Sequence, residues 1–438
     1  MNTPVSLREL PAQPGFAAGD VLVLFGELFG RGYASGLVEQ ARAAGMDIIG
    51  ITVGRRETDN SLRALNAEEL AAAEANLGGR IINVPLMAGF DLDAPAGEPT
   101  VTDLLNKMTL KSWADDQLDW AYVERCRELG QARFRAGVAE VMQTLNDMIG
   151  KGRKVIFAHT MAGGIPRAKV FMVLANRIYK GRGERFMSSQ ALLDSDLGKL
   201  ILQNFDEVSA NTFGYLIEGS ADLRARIESE GGSVSYTAYG YHGTEILIDG
   251  RYQWQTYTNY TQGYAKMRLE QIARDAWAQG VKATVFNCPE IRTNSTDVFA
   301  GVELPLISLL DALRHEDGGA WAEAQWQHCA SLLQPEHSVD EVLAKVRAFQ
   351  TSTVMADFRD FAAWPQPNSV AQADLQIGTS EDIVALHSDK GALITDHLST
   401  LVLEASGALI FACAAAPQAP VLWLNHDIIA RQLNTTHL

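Results

Sequence analysis

The segment DVLVLFGELFGRGYASGLVEQARAAGMDIIGITV, residues 20–53, decides how the rest of the chain is read. Its opening run, 20–25, is short and continuously apolar, the pattern of a strand buried on both faces of a sheet. Gly26, Gly30 and Gly32 follow in the spacing G-x-x-x-G-x-G, and small and apolar residues then recur at helical spacing through LVEQARAAGM. A second apolar run, DIIGITV, ends at Gly54. Strand, glycine turn, helix and strand in that order predict the opening βαβ unit of a parallel sheet. Glycines at such a turn bring backbone amides close to a pyrophosphate, and the new helix offers that anion unpaired N–H groups and a positive dipole end. The turn therefore predicts dinucleotide binding through Gly26, Gly30 and Gly32; the alternative is three glycines serving a tight turn alone.

Working outward, RIINVPL (80–86), KVIFA (154–158), SVSYTAY (233–239) and VKATVFN (281–287) predict four more strands. A polar stretch from Asp91 to about Trp120 precedes a long helix near 121–149, and Asp249–Gly250 within ILIDGRYQW marks a two-residue hairpin turn. Past residue 315 the alternation fades into helices with one or two strands. The expected fold is α/β, a Rossmann-like doubly wound parallel sheet. Residues 1–315 form the nucleotide-binding domain, with insertions at about 91–150 and 245–255, and 316–438 a helical or mixed C-terminal extension.

Composition bounds the function. A chain of 438 residues has a length prior of about two to three domains. With 47% hydrophobic and 21% charged residues it falls in the globular class, so disordered and fibrous classes are out. The net charge of −16 argues against a nucleic-acid partner, which needs a cationic footprint. Cys126, Cys288, Cys329 and Cys413 form no CxxC pair, so a disulfide framework or structural zinc is not expected. The N-terminus lacks the signal-peptide pattern, and the longest apolar stretch, Ala408 to Ala416, is too short to span a bilayer. A cytoplasmic protein without a membrane span is expected. The histidines show no HExxH spacing, so no catalytic metal is expected either.

Two clusters carry candidate chemistry. The second strand runs into Arg55 and Arg56, where an acidic residue would favour a free ribose 2′-hydroxyl and cations favour a 2′-phosphate. NADPH is therefore the expected cofactor, with NADH as the alternative; the bland reading is two solvated arginines. Tyr236, Tyr239 and Tyr241 lead towards YTNYTQGYAK, which ends at Lys266. An ammonium beside a nicotinamide holds the ribose and lowers a phenol's pKa, while the phenol donates to a developing oxyanion. Alone, a tyrosine cluster is more often packing or interface material.

Five short segments in order resemble the short-chain dehydrogenase/reductase superfamily, and within it the bacterial enoyl-acyl-carrier-protein reductases. Gly26 with Ala34-Ser-Gly36-Leu37 is similar to their phosphate turn, and Phe157-Ala-His159-Thr160 to their F-V-H-S. Tyr241-His-Gly243-Thr-Glu245 resembles Y-x-G-x-E, Gly263-Tyr-Ala265-Lys266 with Leu269-Glu270 resembles G-x-A-K-x-x-L-E, and Pro289-Glu-Ile291-Arg292-Thr293 resembles G-P-I-R-T. Each falls where an open α/β sheet binds ligands, at the C-terminal end of a predicted strand or the start of the next helix. The resemblance covers roughly residues 18–300 and suggests a divergent, metagenome-type branch of the enoyl reductases.

It implies an NAD(P)H-dependent oxidoreductase of fatty-acid synthesis, reducing the trans-2 double bond of enoyl thioesters. The implied partner is acyl carrier protein or an acyl-CoA thioester, and the implied assembly a homo-oligomer, dimer or tetramer. Lys266 would hold the nicotinamide ribose, His159 and Thr160 would pack on the cofactor, and Ile291 and Thr293 would brace its carboxamide and diphosphate. Tyr241 would line the acyl side. The family's catalytic tyrosine stands seven positions before the lysine, which here is Asn259. Tyr260 stands six before Lys266 and Tyr257 nine before it, while another enoyl-reductase lineage uses an eight-residue gap, matching Tyr257. Both remain candidates, with a helix starting late, for instance at Thr261, as the way either would reach the site. Because acyl carrier protein is acidic, the basic run Arg167, Lys169, Arg177, Lys180, Arg182 and Arg185 is a candidate docking face, against a plain solvated helix. Two other functions compete: an NADP-dependent reductase of a ketone or hydroxyl substrate, disfavoured by Gln262 four positions before Lys266, and a non-catalytic dinucleotide-binding regulator.

Overall fold

The computed structural model describes residues 5–26, 32–59, 61–166, 168–257, 261–293, 298–316, 318–363 and 366–437. Eleven strands occur among them. They are β1 (Val21–Gly26), β2 (Asp47–Ile51), β3 (Arg55–Arg56), β4 (Leu62–Arg63), β5 (Arg80–Ile82), β6 (Lys154–Thr160), β7 (Ser233–Tyr239), β8 (Gly243–Ile248), β9 (Arg251–Thr256), β10 (Ala283–Asn287) and β11 (Val421–Trp423). Seven pair in the order β11-β10-β7-β6-β1-β2-β5, and every pairing is parallel. The order reverses between β1 and β6, which makes their C-terminal ends the switch point where such sheets take ligands.

Alternation along the central strands explains the layers. Leu22 and Leu24 of β1, Ile48 of β2, and Ile156 and Ala158 of β6 face one core; Val21, Val23 and Phe25, with Ile49, Ile51, Val155 and Phe157, face the other. Helices cover both faces, so both sets are buried and the strands read as continuous apolar runs. The predicted helix near 121–149 spans Trp120–Met148, capped by the Asp119 carboxylate accepting from Tyr122 N at 3.1 Å. The third strand ends at Ile82, four residues short of the predicted run. The hairpin at 245–255 is β8 and β9, joined by Asp249 and Gly250 at φ +49° and +74°, the left-handed pair that a two-residue turn needs. Arg55 and Arg56 form a small hairpin of their own with Leu62 and Arg63.

The segment from 316 onward returns to the sheet. After helices 320–331, 339–351 and 370–385, helix Ile394–Ala415 packs on helix Ala34–Ala43, and β11 extends the sheet beside β10. The helix Ile394–Ala415 is long and apolar enough to cross a membrane by length and composition, yet most of it lies inside the protein. A helix buried on most sides needs no polar face, which accounts for its composition. All four cysteines are free and buried, and no metal-ligating cluster occurs among the described residues.

Candidate active site

One end of the candidate cleft starts at Gly26. Its φ of +129° suits glycine, and a Cβ there would stand 2.7 Å from the Met161 amide nitrogen. Across the sheet Gly26 pairs with Thr160, whose buried hydroxyl has no partner among the described residues. Helix Ala34–Ala43 starts without a side-chain cap and without an acidic first turn, and the Ser35 amide turns back to the Gly32 carbonyl at 2.9 Å, a helix start with no negative charge to oppose an anion. Gly32 donates its amide to Ser35 Oγ at 3.3 Å; Gly30 lies outside the described residues. These features fit a dinucleotide diphosphate.

Beside them a cavity of about 630 Å³ is lined by Gly26, Ser35, Thr52, Arg55 and Glu69. Glu69 accepts a fork from Arg63 at 2.6 and 3.1 Å and the Asn66 amide at 2.8 Å, and those bonds hold its carboxyl down at about 2. Arg55 Nε stands 3.8 Å from the same carboxylate. Arg56 turns inward, its side chain 5% exposed and 3.8 Å from Asp93. The two arginines read as a phosphate clamp are thus not brought together. One borders the cavity beside a carboxylate and the other faces the protein interior.

At the chemical end, His159 is buried, with Nε2 2.8 Å from Thr212 Oγ1. The Thr212 hydroxyl donates its one hydrogen to the Val208 carbonyl at 2.8 Å, so Nε2 must be the donor to Thr212. Burial, and secondarily the Lys266 charge, hold this imidazole neutral, with a pKa well below the usual histidine range. Lys266 opens the first turn of helix Ala265–Ala278, which a 3₁₀ turn at Thr261–Tyr264 precedes. Burial lowers its ammonium to about 8, and no carboxylate lies within 4 Å of it among the described residues.

The helix therefore begins after Tyr257, and spacing on a helical face does not govern that residue's reach. Tyr257 follows β9 directly, is 2% exposed, and its hydroxyl has no partner among the described residues. Burial, then the neighbouring Tyr33, Cys288 and Glu290, push its pKa well above the usual phenol range. The Tyr241 ring meets it edge to face with centroids 4.5 Å apart, and the Tyr241 hydroxyl donates to Glu290 Oε1 at 2.7 Å. Gly263 permits this packing, since a Cβ there would stand 2.5 Å from the Tyr241 ring. Tyr260 lies outside the described residues.

Ile291 is buried, and Arg292 ties the adjoining segment to helix Ile394–Ala415 through its amide to Ser399 Oγ at 2.9 Å and its guanidinium to Asp396 at 2.9 Å. Thr293 completes this stretch. Sequence reasoning missed Glu290 and Tyr33. Tyr33 donates to the Pro289 carbonyl at 2.5 Å and stacks on Tyr239 with centroids 5.7 Å apart, linking the glycine turn to the end of β10. The available signal for Glu290 was an acidic residue three positions past the end of β10, directly after Pro289.

A family model described as the enoyl-acyl carrier protein reductase FabMG matches residues 3–433. The chain belongs to the FabMG enoyl-acyl carrier protein reductase family. The chain is 66% identical to a FabMG solved in its apo form, described as a novel type of enoyl-acyl carrier protein reductase. That match covers 100% of this chain and 98% of the other at a TM-score of 0.97. A FabMG solved with NADH bound is 56% identical, with full coverage of both chains and a TM-score of 0.82. No curated protein matches the chain. FabMG membership bears out the enoyl-reductase resemblance read from the five segments, over nearly the whole chain rather than residues 18–300 alone.

Proposed function

We propose that this chain reduces the trans-2 double bond of an enoyl-acyl carrier protein thioester with NADH, and that Tyr257 is the hydroxyl that stabilises the developing enolate. The observation that carries the residue assignment is the buried, unpartnered Tyr257 hydroxyl, packed on Tyr241 just before the element bearing Lys266. Bound NADH supplies the hydride. Gly26, Gly32 and the uncapped start of helix Ala34–Ala43 would hold its diphosphate, with Thr160, Ile291 and Thr293 along the cleft. Lys266 would bind the ribose and keep the local potential positive as charge builds on the thioester oxygen. Tyr257 would donate to that oxygen from a site where water does not compete, which is where such a hydrogen bond is worth most. His159, neutral and bonded to Thr212, would support the floor of the cleft and move no proton.

NADH is preferred in this reading because the adenosine cavity carries Glu69 beside Arg55, so a 2′-phosphate would meet a carboxylate there. The carrier would dock on helix Lys169–Lys180, which exposes Lys169 and Arg177 around Met172 and Val173. Arg182 is less available, being paired with Glu381 at 2.6 Å, and Arg167 lies outside the described residues. Residues 316–438 act in this reading as part of the same domain, and the assembly is a cytoplasmic homo-oligomer. The test is oxidation of NADH followed with crotonyl-acyl carrier protein, and its loss in Lys266→Ala. Tight NADH binding with no turnover of any enoyl thioester would sink the assignment.

A further inference from the structure

Glu290 follows Pro289 just past β10 and is 1% exposed. Removing a carboxylate from water costs several kcal/mol unless its oxygens are hydrogen-bonded. One oxygen accepts the Tyr241 hydroxyl at 2.7 Å. A phenol has a single hydrogen, so while it is given to Glu290 the Tyr241 oxygen can accept but cannot donate. The Tyr257 ring stands 4.5 Å away, edge to face, and its own hydroxyl hydrogen is uncommitted among the described residues.

We propose that Glu290 is a positioning residue that occupies the Tyr241 hydroxyl, fixes that ring as the wall against which Tyr257 packs, and so assigns donation to the thioester oxygen to Tyr257. The inference rests on the enoyl-reductase reading of the site. Two phenols packed edge to face in one cleft would otherwise compete for the same substrate oxygen in two orientations. A carboxylate behind one of them removes that competition. Glu290 touches no reacting atom in this scheme and works through Tyr241.

The test is a double-mutant cycle in the full-length enzyme, with Glu290→Ala, Tyr241→Phe and the double variant. Turnover of crotonyl-acyl carrier protein and NADH dissociation constants from fluorescence are measured for each. Glu290→Ala should lower kcat by ~10-fold or more while the NADH dissociation constant moves less than about 2-fold, because the loss is one of orientation rather than binding. In the Tyr241→Phe background the same change should cost less than about 2-fold, since no hydroxyl remains to be held. Equal losses in both backgrounds, or a Glu290→Ala enzyme with full kcat, would overturn the proposal. If Glu290→Ala does not fold, Glu290→Gln and Glu290→Asp carry the test. Glutamine keeps the reach and an acceptor oxygen, aspartate keeps the charge without the reach, and an aspartate variant more active than the glutamine one overturns it. An inactive wild-type enzyme would instead defeat the underlying functional reading.

Discussion

Gly36 and Gly407 meet backbone to backbone. A Cβ on Gly36 would stand 2.0 Å from the Leu403 carbonyl oxygen, and one on Gly407 would stand 2.3 Å from the Gly36 carbonyl carbon. Here the helix that follows the glycine turn lies directly on the long apolar helix Ile394–Ala415. The end of the sheet that carries Gly26 is thereby braced by the C-terminal part of the chain.

That contact has no slack, because both obstructions are backbone rather than flexible side chains. Gly407→Ala should destabilise the protein by about 2 kcal/mol or more, as overpacking a dense contact does. A thermal midpoint lowered by several degrees would bear this out; an unchanged midpoint would show that the helices separate easily.

Tyr257→Phe removes one hydroxyl and leaves the ring in place. By comparison with the loss of a single oxyanion donor, kcat should fall by ~10²–10³. Circular dichroism and NADH affinity should stay close to wild type. A kcat within a few-fold of wild type would return the role to Tyr260.

Lys266 predicts two opposite pH effects. Its ammonium is lowered from 10.5 to about 8 by burial, so activity that needs the charge should decline as pH rises through about 8. Stability runs the other way. The unfolded chain holds this proton more tightly than the folded one, so the penalty is fully present below pH 8 and disappears as pH climbs towards 10.5. Lys266→Met should therefore abolish reduction yet raise the thermal midpoint at pH 7, with the gain shrinking above pH 8. A destabilised variant at pH 7 would contradict this.

Glu69→Gln leaves Arg63 and Arg55 without the carboxylate they share at the cavity beside Gly26. The ratio of NADPH to NADH affinity should rise by ~10-fold, the size expected when a phosphate gains a charge-assisted partner. Fluorescence titration of the two cofactors checks it without any turnover, and an unmoved ratio would place the discrimination elsewhere.

Charge reversal at Lys169 and Arg177 should raise KM for enoyl-acyl carrier protein several-fold and steepen nothing for the matching CoA thioester. Equal effects on both substrates would mean the helix contacts the acyl chain or only supports the fold.

Much of the sheet was legible because its strands are buried on both faces. Residues 21–26, 47–51 and 154–160 lie where apolar runs predicted them, and 233–239 and 283–287 lie where SVSYTAY and VKATVFN were expected as strands. The Asp249–Gly250 turn was equally plain, since few residue pairs accept two left-handed conformations. The three-residue strand β11 was not, because Val421–Trp423 is too short to show a period and exists only by pairing with β10. The helix Ile394–Ala415 hides its partner in the same way, since being apolar on most sides it points nowhere in particular.

The site divides along a similar line. Sequence by itself determined the residue types, with Gly26, His159, Thr160 and Tyr241 at or just past strand ends and Lys266 in the first turn of a later helix, because a parallel sheet gathers its strand ends at one edge whatever the details. Tertiary structure decided what those groups do to each other. It separated Arg55 from Arg56, let Tyr257 precede the helix that carries Lys266, and set Glu290 behind Tyr241. Hydrogen bonds and buried charges depend on distances of a few ångströms between residues far apart in the chain, and no local pattern encodes those distances.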